Sequence, residues 1–427
     1  MNASNMNHRE VKNIDYGWRL NGRPILFYKD RSLAADESTH QMEKALRQMS
    51  MEYYALDRCL QCGICSSFCP NNLLKTTESF SPRNFIQKTR LGLLDLNGDE
   101  LWVCTNCGHC QMVCPFEIPL LEVMAGLRHL VVEQGAGHVP VSIKSSIASI
   151  SSCGNPWKEE TSSRVKWIKG METVPPVASA EETVHIFLGC LSGYDRRARQ
   201  AAEAAMYILR IAKIPFKILS EEEVCCGDTV RRVGDFTTSE KMKKINRSNF
   251  LKNNVEKLYV ISPHCLSTFQ DMYVKESNHE IRVAPFIELV YDLIGKGIIK
   301  LDKYQDKRVT FHDPCFFSKH LNIIAQPREI LDSMQGIERM EMEHSGKKSL
   351  CCGGGGGGIW RDAKKGERLS EIRLDEALKI DAAILVTSCP YCLSMLEDAR
   401  QADEKYRQIE IMDICELIGK GIRDENN

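Results

Sequence analysis

Cysteine carries most of the chemistry this sequence can offer. Residues 59–70 read CLQCGICSSFCP and residues 104–115 read CTNCGHCQMVCP. Both are C-x2-C-x2-C-x3-C-P, the spacing that holds iron–sulfur cubanes. Three thiolates of a run wrap one corner of a cluster, and the fourth reaches the neighbouring one. The spacing therefore predicts crossed ligation: Cys59, Cys62 and Cys65 with Cys114, and Cys104, Cys107 and Cys110 with Cys69. Gly63 and Gly108 would let the backbone approach sulfide closely. Pro70 and Pro115 would stop the chain after the fourth ligand. C-x2-C also suits zinc, but zinc usually takes two separated pairs. Four close cysteines ending in proline, occurring twice, favour clusters. His109 lies inside the second run, where the ligand count is already complete, and reads as an outer-shell or surface residue.

A second cysteine pattern is duplicated. Cys190, Cys225-Cys226-Gly227 and SPHCLS at 262–267 match Cys315, Cys351-Cys352-Gly353 and CPYCLS at 389–394. The intervals are 34 and 35 residues in the first half and 35 and 36 in the second. Buried structural cysteine explains one or two such residues, not the same intervals twice. Adjacent Cys351 and Cys352 cannot easily chelate one ion, but they can bind neighbouring irons of a larger cluster. The six glycines that follow, Gly353 to Gly358, carry no side chains to obstruct it, and their N–H groups can point at anionic sulfur. A vicinal disulfide or a flexible linker would leave Cys315, Cys389 and Cys392 unexplained. Trp360 caps this site or belongs to the core. His312, three residues before Cys315, could protonate a leaving thiolate or fix the loop by hydrogen bonding. His264 carries the same two readings. Cys153 and Cys415 fall outside every pattern.

The elements around these residues are legible. VHIFLGC, KLYVISPHC, RVTFHDPC and AAILVTSCPYC are short apolar, β-branched runs ending at or near a cysteine. They read as buried parallel strands, with helices between them such as Arg196–Lys213 and Gly366–Lys379. Thiols then stand at the carboxyl ends of strands, where open α/β sheets bind ligands. In the N-terminal region, Ser81 can cap a helix with Pro82 at its first position, and residues 36–56 also read as helix. The expected fold is α+β/α/β: a helical ferredoxin module, then duplicated α/β domains with parallel strands. The expected division is an extension over 1–50, the module over 51–138, a connector over 139–182, one repeat over 183–302 and the other over 303–427.

The bulk numbers agree. The chain has 427 residues and 19 cysteines, with 56 Lys+Arg against 57 Asp+Glu. A net charge of −1 gives no general attraction to nucleic acid. No signal peptide or membrane span is apparent, so the chain reads as cytoplasmic, and so many cysteines there indicate metal or redox chemistry. No dinucleotide fingerprint stands out, so flavin or nicotinamide chemistry would belong to a partner.

The pattern C-x35-CC-x36-C-x2-C resembles the cysteine-rich CCG domain of the heterodisulfide reductase family. A two-cubane module followed by two such repeats resembles the family's fused catalytic iron–sulfur subunit, known from anaerobic metabolism. It is also similar to iron–sulfur subunits of respiratory complexes in sulfate reducers and of glycerol-3-phosphate, lactate and glycolate dehydrogenases. The resemblance implies one noncubane [4Fe-4S] cluster on five cysteines, carried over as Cys315, Cys351, Cys352, Cys389 and Cys392. It also implies reduction of a disulfide there, or thiol oxidation in reverse. The expected partners are a membrane b-type cytochrome or a soluble flavoprotein or hydrogenase subunit, with docking at the cytoplasmic membrane face through that partner. The alternative it leaves open is a non-catalytic electron-transfer subunit. In the first repeat Ser262 replaces one ligand. Cys190, Cys225, Cys226 and Cys265 remain, enough for a four-thiolate cubane or a structural role.

Overall fold

The computed structural model describes residues 55–74, 80–168, 184–274, 281–301 and 306–422, with Tyr304 and the two-residue strands Arg19–Leu20 and Arg23–Pro24. The helix expected over 36–56 lies, apart from its last two residues, outside the described residues.

Within 55–138 the described residues form helices and loops only. Helix Pro82–Leu91 starts as its sequence dictates: the Ser81 side chain accepts from the Asn84 N–H at 3.3 Å, with Pro82 at the first position. It buries Phe85 and Ile86 against Leu101, Trp102 and the apolar face of helix Leu120–Glu133. Short helices Ile64–Ser67 and His109–Met112 occupy equivalent places in the two cysteine runs. Residues 139–182, read as a connector, include helices Val141–Cys153 and Thr161–Val165, and the first buries Ile143 and Ile150.

The repeats are two four-stranded parallel sheets. The first contains β1 (Val184–Phe187), β2 (Phe216–Ile218), β3 (Lys257–Val260) and β4 (Arg282–Pro285) in the order β2-β1-β3-β4. The second contains β5 (Lys307–Phe311), β6 (Ile337–Met340), β7 (Ile384–Thr387) and β8 (Glu410–Asp413) in the order β6-β5-β7-β8. The topology is the same in both. Central strands β1 and β7 are buried at every residue, because helices cover both faces. In each sheet the chain order reverses between the two central strands, whose ends are in register at Phe187–Val260 and Phe311–Val386. That reversal is where such sheets open a ligand crevice at the carboxyl ends. Cys190 and Cys265 follow β1 and β3. Cys315, Cys389 and Cys392 follow β5 and β7.

One core runs through both halves. Phe187, Phe250 and Phe269 meet edge-to-face at 4.7 to 6.3 Å. Burial of each such ring contributes about 1.5–3 kcal/mol. Helix Arg196–Ile211 of the first half packs on helix Ile414–Gly421 of the second, and Arg197 pairs with Glu416 at 2.8 Å across that seam.

Candidate functional site

The two ferredoxin-type runs fold alike. Gln61 and Asn106, each just before the second cysteine of its run, take the same left-handed backbone, φ 59° and 54°. The thiols group across the runs. Cys65 is raised by burial, with Cys59 and Cys114 adding to the effect. Cys69 is raised by burial and then by Cys107 and Cys104. The structure thus brings Cys114 to the first run and Cys69 to the second. Cys62 is exposed, and with Cys59, Cys65, Cys114 and, from the second run, Cys110 it lines one small pocket. His109 is buried rather than on the surface. Burial, with Lys319 nearby, lowers it to about 4, and neither ring nitrogen has a hydrogen-bond partner.

The second run meets the second repeat. The Thr105 hydroxyl donates to Cys351 Sγ at 3.3 Å. The Cys107 and Cys315 thiols hydrogen bond to Cys351 and hold it below the ordinary thiol range. Cys351 and Cys392 do the same for Cys352. One glycine amide acts as expected: Gly353 N–H donates to Cys351 Sγ at 3.3 Å. The later glycines have a role the sequence did not disclose. A Cβ on Gly355 would collide with the Thr105 carbonyl oxygen, and one on Gly356 would lie 2.6 Å from that of Cys104. The glycine run is bare because the ferredoxin loop lies directly on it.

His264, from the first repeat, reaches the second. Its Nδ1 lies 2.8 Å from Asp228 Oδ2, and its ring stacks on Tyr391 at 4.2 Å and sits 3.9 Å from Phe316. Burial opposes its protonation, but Asp228 and the Cys389 thiol carry it up to about 9. Burial likewise resists ionisation at Cys389, yet hydrogen bonds from Cys392 and His264 bring it down to about 5. His264 and Tyr391 occupy equivalent positions in SPHC and CPYC, so the two repeats face each other across this stack.

His312 is fully buried, and its Nδ1 accepts from Arg373 Nε at 3.2 Å. Burial and that guanidinium lower it to about 3, so its ring is neutral at ordinary pH. Nε2 has no partner, and one ring nitrogen lies within 4.8 Å of the Cys352 and Cys392 sulfurs. In the first repeat, Cys190, Cys225, Cys226 and Cys265 are buried as a continuous hydrogen-bonded row. Ser262 Oγ, buried beside them, has no partner. Trp360 packs half-buried against the core, Cys415 is in the core, and Cys153 is half-buried.

Sequence reasoning missed the buried arginines. Arg164 pairs with Glu223 beneath Cys190, and Arg373 pairs with Glu376 beneath His312. Arg128 bonds to three modules at once. Its signal was available: it lies four residues after Met124 and three before Val131, on the apolar face of its helix.

The ferredoxin-type cysteines fit iron–sulfur centres better than zinc. Tetrahedral zinc would draw its sulfurs to within about 4 Å of one another. Among the described residues, only His312–Cys352–Cys392 and Glu343–His344–Glu376 bring three ligand atoms within 4.8 Å, and neither ferredoxin run does. Unpartnered polar atoms at His312, Ser388 and Ser262 also leave donors free beside the sulfurs.

Comparison with known proteins agrees. The cysteine-rich domain family CCG matches residues 184–270 and 309–397, and the 4Fe-4S dicluster domain family matches 55–118. The chain is 30% identical to "Probable iron-sulfur-binding oxidoreductase FadF" of Bacillus subtilis, over 76% of this chain and 47% of the relative. It is 29% identical to an EtfAB:quinone oxidoreductase of Syntrophomonas wolfei, over 77% and 48%. It spans about half the length of these two relatives. A third relative is one subunit of the dihydromethanophenazine:CoB–CoM heterodisulfide reductase of Methanosarcina barkeri, 28% identical over 87% of this chain and 95% of the relative. Among the described residues no helix is long and apolar enough to cross a membrane.

Proposed function

Because the chain joins a 4Fe-4S dicluster domain to two CCG domains, and so belongs to the family of heterodisulfide-reductase-type iron–sulfur subunits, we propose that it is the subunit in which a thiol–disulfide site receives electrons. Cys59, Cys62, Cys65 and Cys114 would hold one cubane, and Cys104, Cys107, Cys110 and Cys69 the other. Cys315, Cys351, Cys352, Cys389 and Cys392 would hold the noncubane centre. When bound, these groups supply one-electron chemistry, and two electrons with two protons convert a disulfide to two thiols. The carrying observation is the hydrogen bond from Thr105 to Cys351 Sγ, which seats the second ferredoxin loop on the complete CCG motif.

The residues divide the work. Cys62 is exposed at the outer end, where a redox partner can approach. Cys107 and Thr105 occupy the inner end, against Cys351. Lys319, near Cys107 and Cys315, offsets negative charge there. His264 hydrogen bonds to Cys389, and neutral His312 is close enough to hydrogen bond rather than protonate. A cleft of about 310 Å³ opens beside Thr105 and Gly353, both bonded to Cys351, and Arg361 and Arg368 line it. It is the proposed entry for a small disulfide.

A flavoprotein or quinone-linked complex is the proposed electron source, in line with the name of one relative, the EtfAB:quinone oxidoreductase. That name also favours a second reading, in which the chain only relays electrons. Anaerobic purification with EPR separates the two. A thiol or disulfide ligand should perturb the signal of the wild-type chain and leave that of a Cys351→Ala chain unchanged. A wild-type signal indifferent to every such ligand would leave only the relay.

A further inference from the structure

Among the described residues, Arg128 is a side chain on which the three modules converge. It is fully buried. Nε and Nη2 donate to the Leu101 carbonyl at 2.9 and 2.6 Å, and Nη2 also donates to that of Cys104 at 2.7 Å. Nη1 donates to Asn106 Oδ1 at 2.9 Å, to the Arg232 carbonyl at 3.0 Å and to that of Gly356 at 3.1 Å. It therefore ties the loop bearing Cys104 and Cys107 to the first CCG domain and to the glycine run of the second. Its electrostatic position is unusual. The other fully buried arginines have carboxylates, Glu223 for Arg164 and Glu376 for Arg373. All of Arg128's acceptors are neutral oxygens; burial, with Arg361 and Arg232 nearby, lowers it to about 10, and the Cys104 sulfur, when thiolate, opposes that.

A buried cation without an anion is costly by several kcal/mol. A four-thiolate iron–sulfur centre is an anion and gains one more negative charge on accepting an electron. A fixed cation in a low-dielectric surrounding favours that more reduced state. The first run has no equivalent among the described residues. Its nearby cations, Arg83 and Arg90, are exposed or half-buried, and Arg90 faces Asp57 at 3.5 Å. Water and salt screen them.

We propose that Arg128 is a positioning residue that acts as built-in countercharge for the centre on Cys69, Cys104, Cys107 and Cys110. It sets that centre's reduction potential above that of the outer one while its hydrogen bonds hold the loop against Cys351. The inference rests on the proposed cluster ligation. The potential difference draws electrons inward, from the exposed Cys62 end toward the CCG site.

The test is an EPR-monitored redox titration of the anaerobically reconstituted full chain, as wild type, Arg128→Lys and Arg128→Gln, with Cys69→Ser to identify the inner signal. Loss of charge in Arg128→Gln should shift the inner midpoint to more negative potential and leave the outer one in place. Arg128→Lys, charged but without the fan of hydrogen bonds, should stay close to wild type. An unmoved inner midpoint in Arg128→Gln overturns the proposal, as does an equal shift in Arg128→Lys. If Arg128→Gln cannot retain inner iron, retention by Arg128→Lys supports the countercharge, and loss in both overturns it. Absence of cluster signals from the wild type itself would instead overturn the functional reading.

Discussion

Around Cys389 and Cys351 the second CCG domain gathers positive or donating groups: the His264 ring, the Lys319 ammonium, the Thr105 hydroxyl and the Gly353 amide. Around Cys190 and Cys226 the first domain gathers carboxylates, Glu223 and Asp228. The thiols themselves differ less cleanly, because hydrogen bonds among the sulfurs and burial act on them more strongly than these groups do. In the second domain Cys351, Cys352 and Cys389 are held below the ordinary range while Cys315 and Cys392 are raised, whereas in the first Cys190, Cys225, Cys226 and Cys265 are all raised. Two sheets of one topology, with cysteines at matching positions, thus differ in that only the second holds any of its motif thiols low. Metal ligation requires thiolate, so the three thiols held low make the second domain the better prepared of the two. The first domain's acids serve other ends. Glu223 receives Arg164 and the Leu188 and Gly189 amides, which fixes the turn before Cys190. Asp228 orients His264 toward the neighbouring domain. On the proposed function, the repeat with Ser262 acts as a support for the repeat with five cysteines.

The sharpest way to break that contrast is a matched pair of variants. Cys351→Ala removes a thiol that touches Cys107, Cys315 and Cys352. It should lower disulfide-dependent turnover by at least roughly 100-fold, at the upper end of what loss of a metal-site group costs. Cys225→Ala, at the equivalent position, should cost less than about 10-fold and act mainly on stability or electron delivery. Turnover with an artificial reductant and iron per chain measure both. The reverse order would assign the disulfide chemistry to the first domain.

A second variant attempts to erase the difference. Ser262 is 3% exposed and its Oγ has no partner. Ser262→Cys exchanges a hard oxygen for a thiol at nearly constant volume and supplies the missing fifth ligand. Iron per chain and the EPR spectrum should both gain a component absent from the wild type. An unchanged count and spectrum would mean that surrounding charge, not the number of thiols, separates the two domains.

How much of this was legible in the sequence follows from what kind of signal each feature leaves. The central strands β1, β3, β5 and β7 are runs such as VHIF and ILVT, apolar because both faces are covered, and that pattern is enough to find them. Strands β2, β4, β6 and β8 are short and mixed, as in IERM and EIMD, and their pairing is dictated by a neighbour rather than by their own pattern. The crossed grouping of Cys69 and Cys114 was encoded in spacing alone. The contact of Thr105 with Cys351 joins residues 246 positions apart, and no local pattern announces it. The same holds for His264. It reads as a neighbour of Cys265, yet its ring faces Cys389, because the equivalent tips of the two domains are packed together.

His264 also gives the finest test, because it is where the two domains exchange charge. Its folded value of about 9 lies above the ordinary 6.5. A raised value means that the folded state binds the proton more tightly. The stabilisation is therefore complete below about pH 6.5 and is lost as pH rises through about 9. Arg232 shares Asp228 with it. His264→Leu should destabilise the chain by on the order of 2 kcal/mol near pH 6. The difference from wild type should shrink toward a residual packing cost near pH 10. Denaturant unfolding at several pH values measures it. The loss should be accompanied by a change in the EPR signal of the second CCG domain, since the Cys389 sulfur loses its donor, while the ferredoxin signals stay fixed. A destabilisation that does not vary with pH, with all signals unmoved, would reduce His264 to a packed ring between Tyr391 and Phe316 and leave the two domains electrostatically independent.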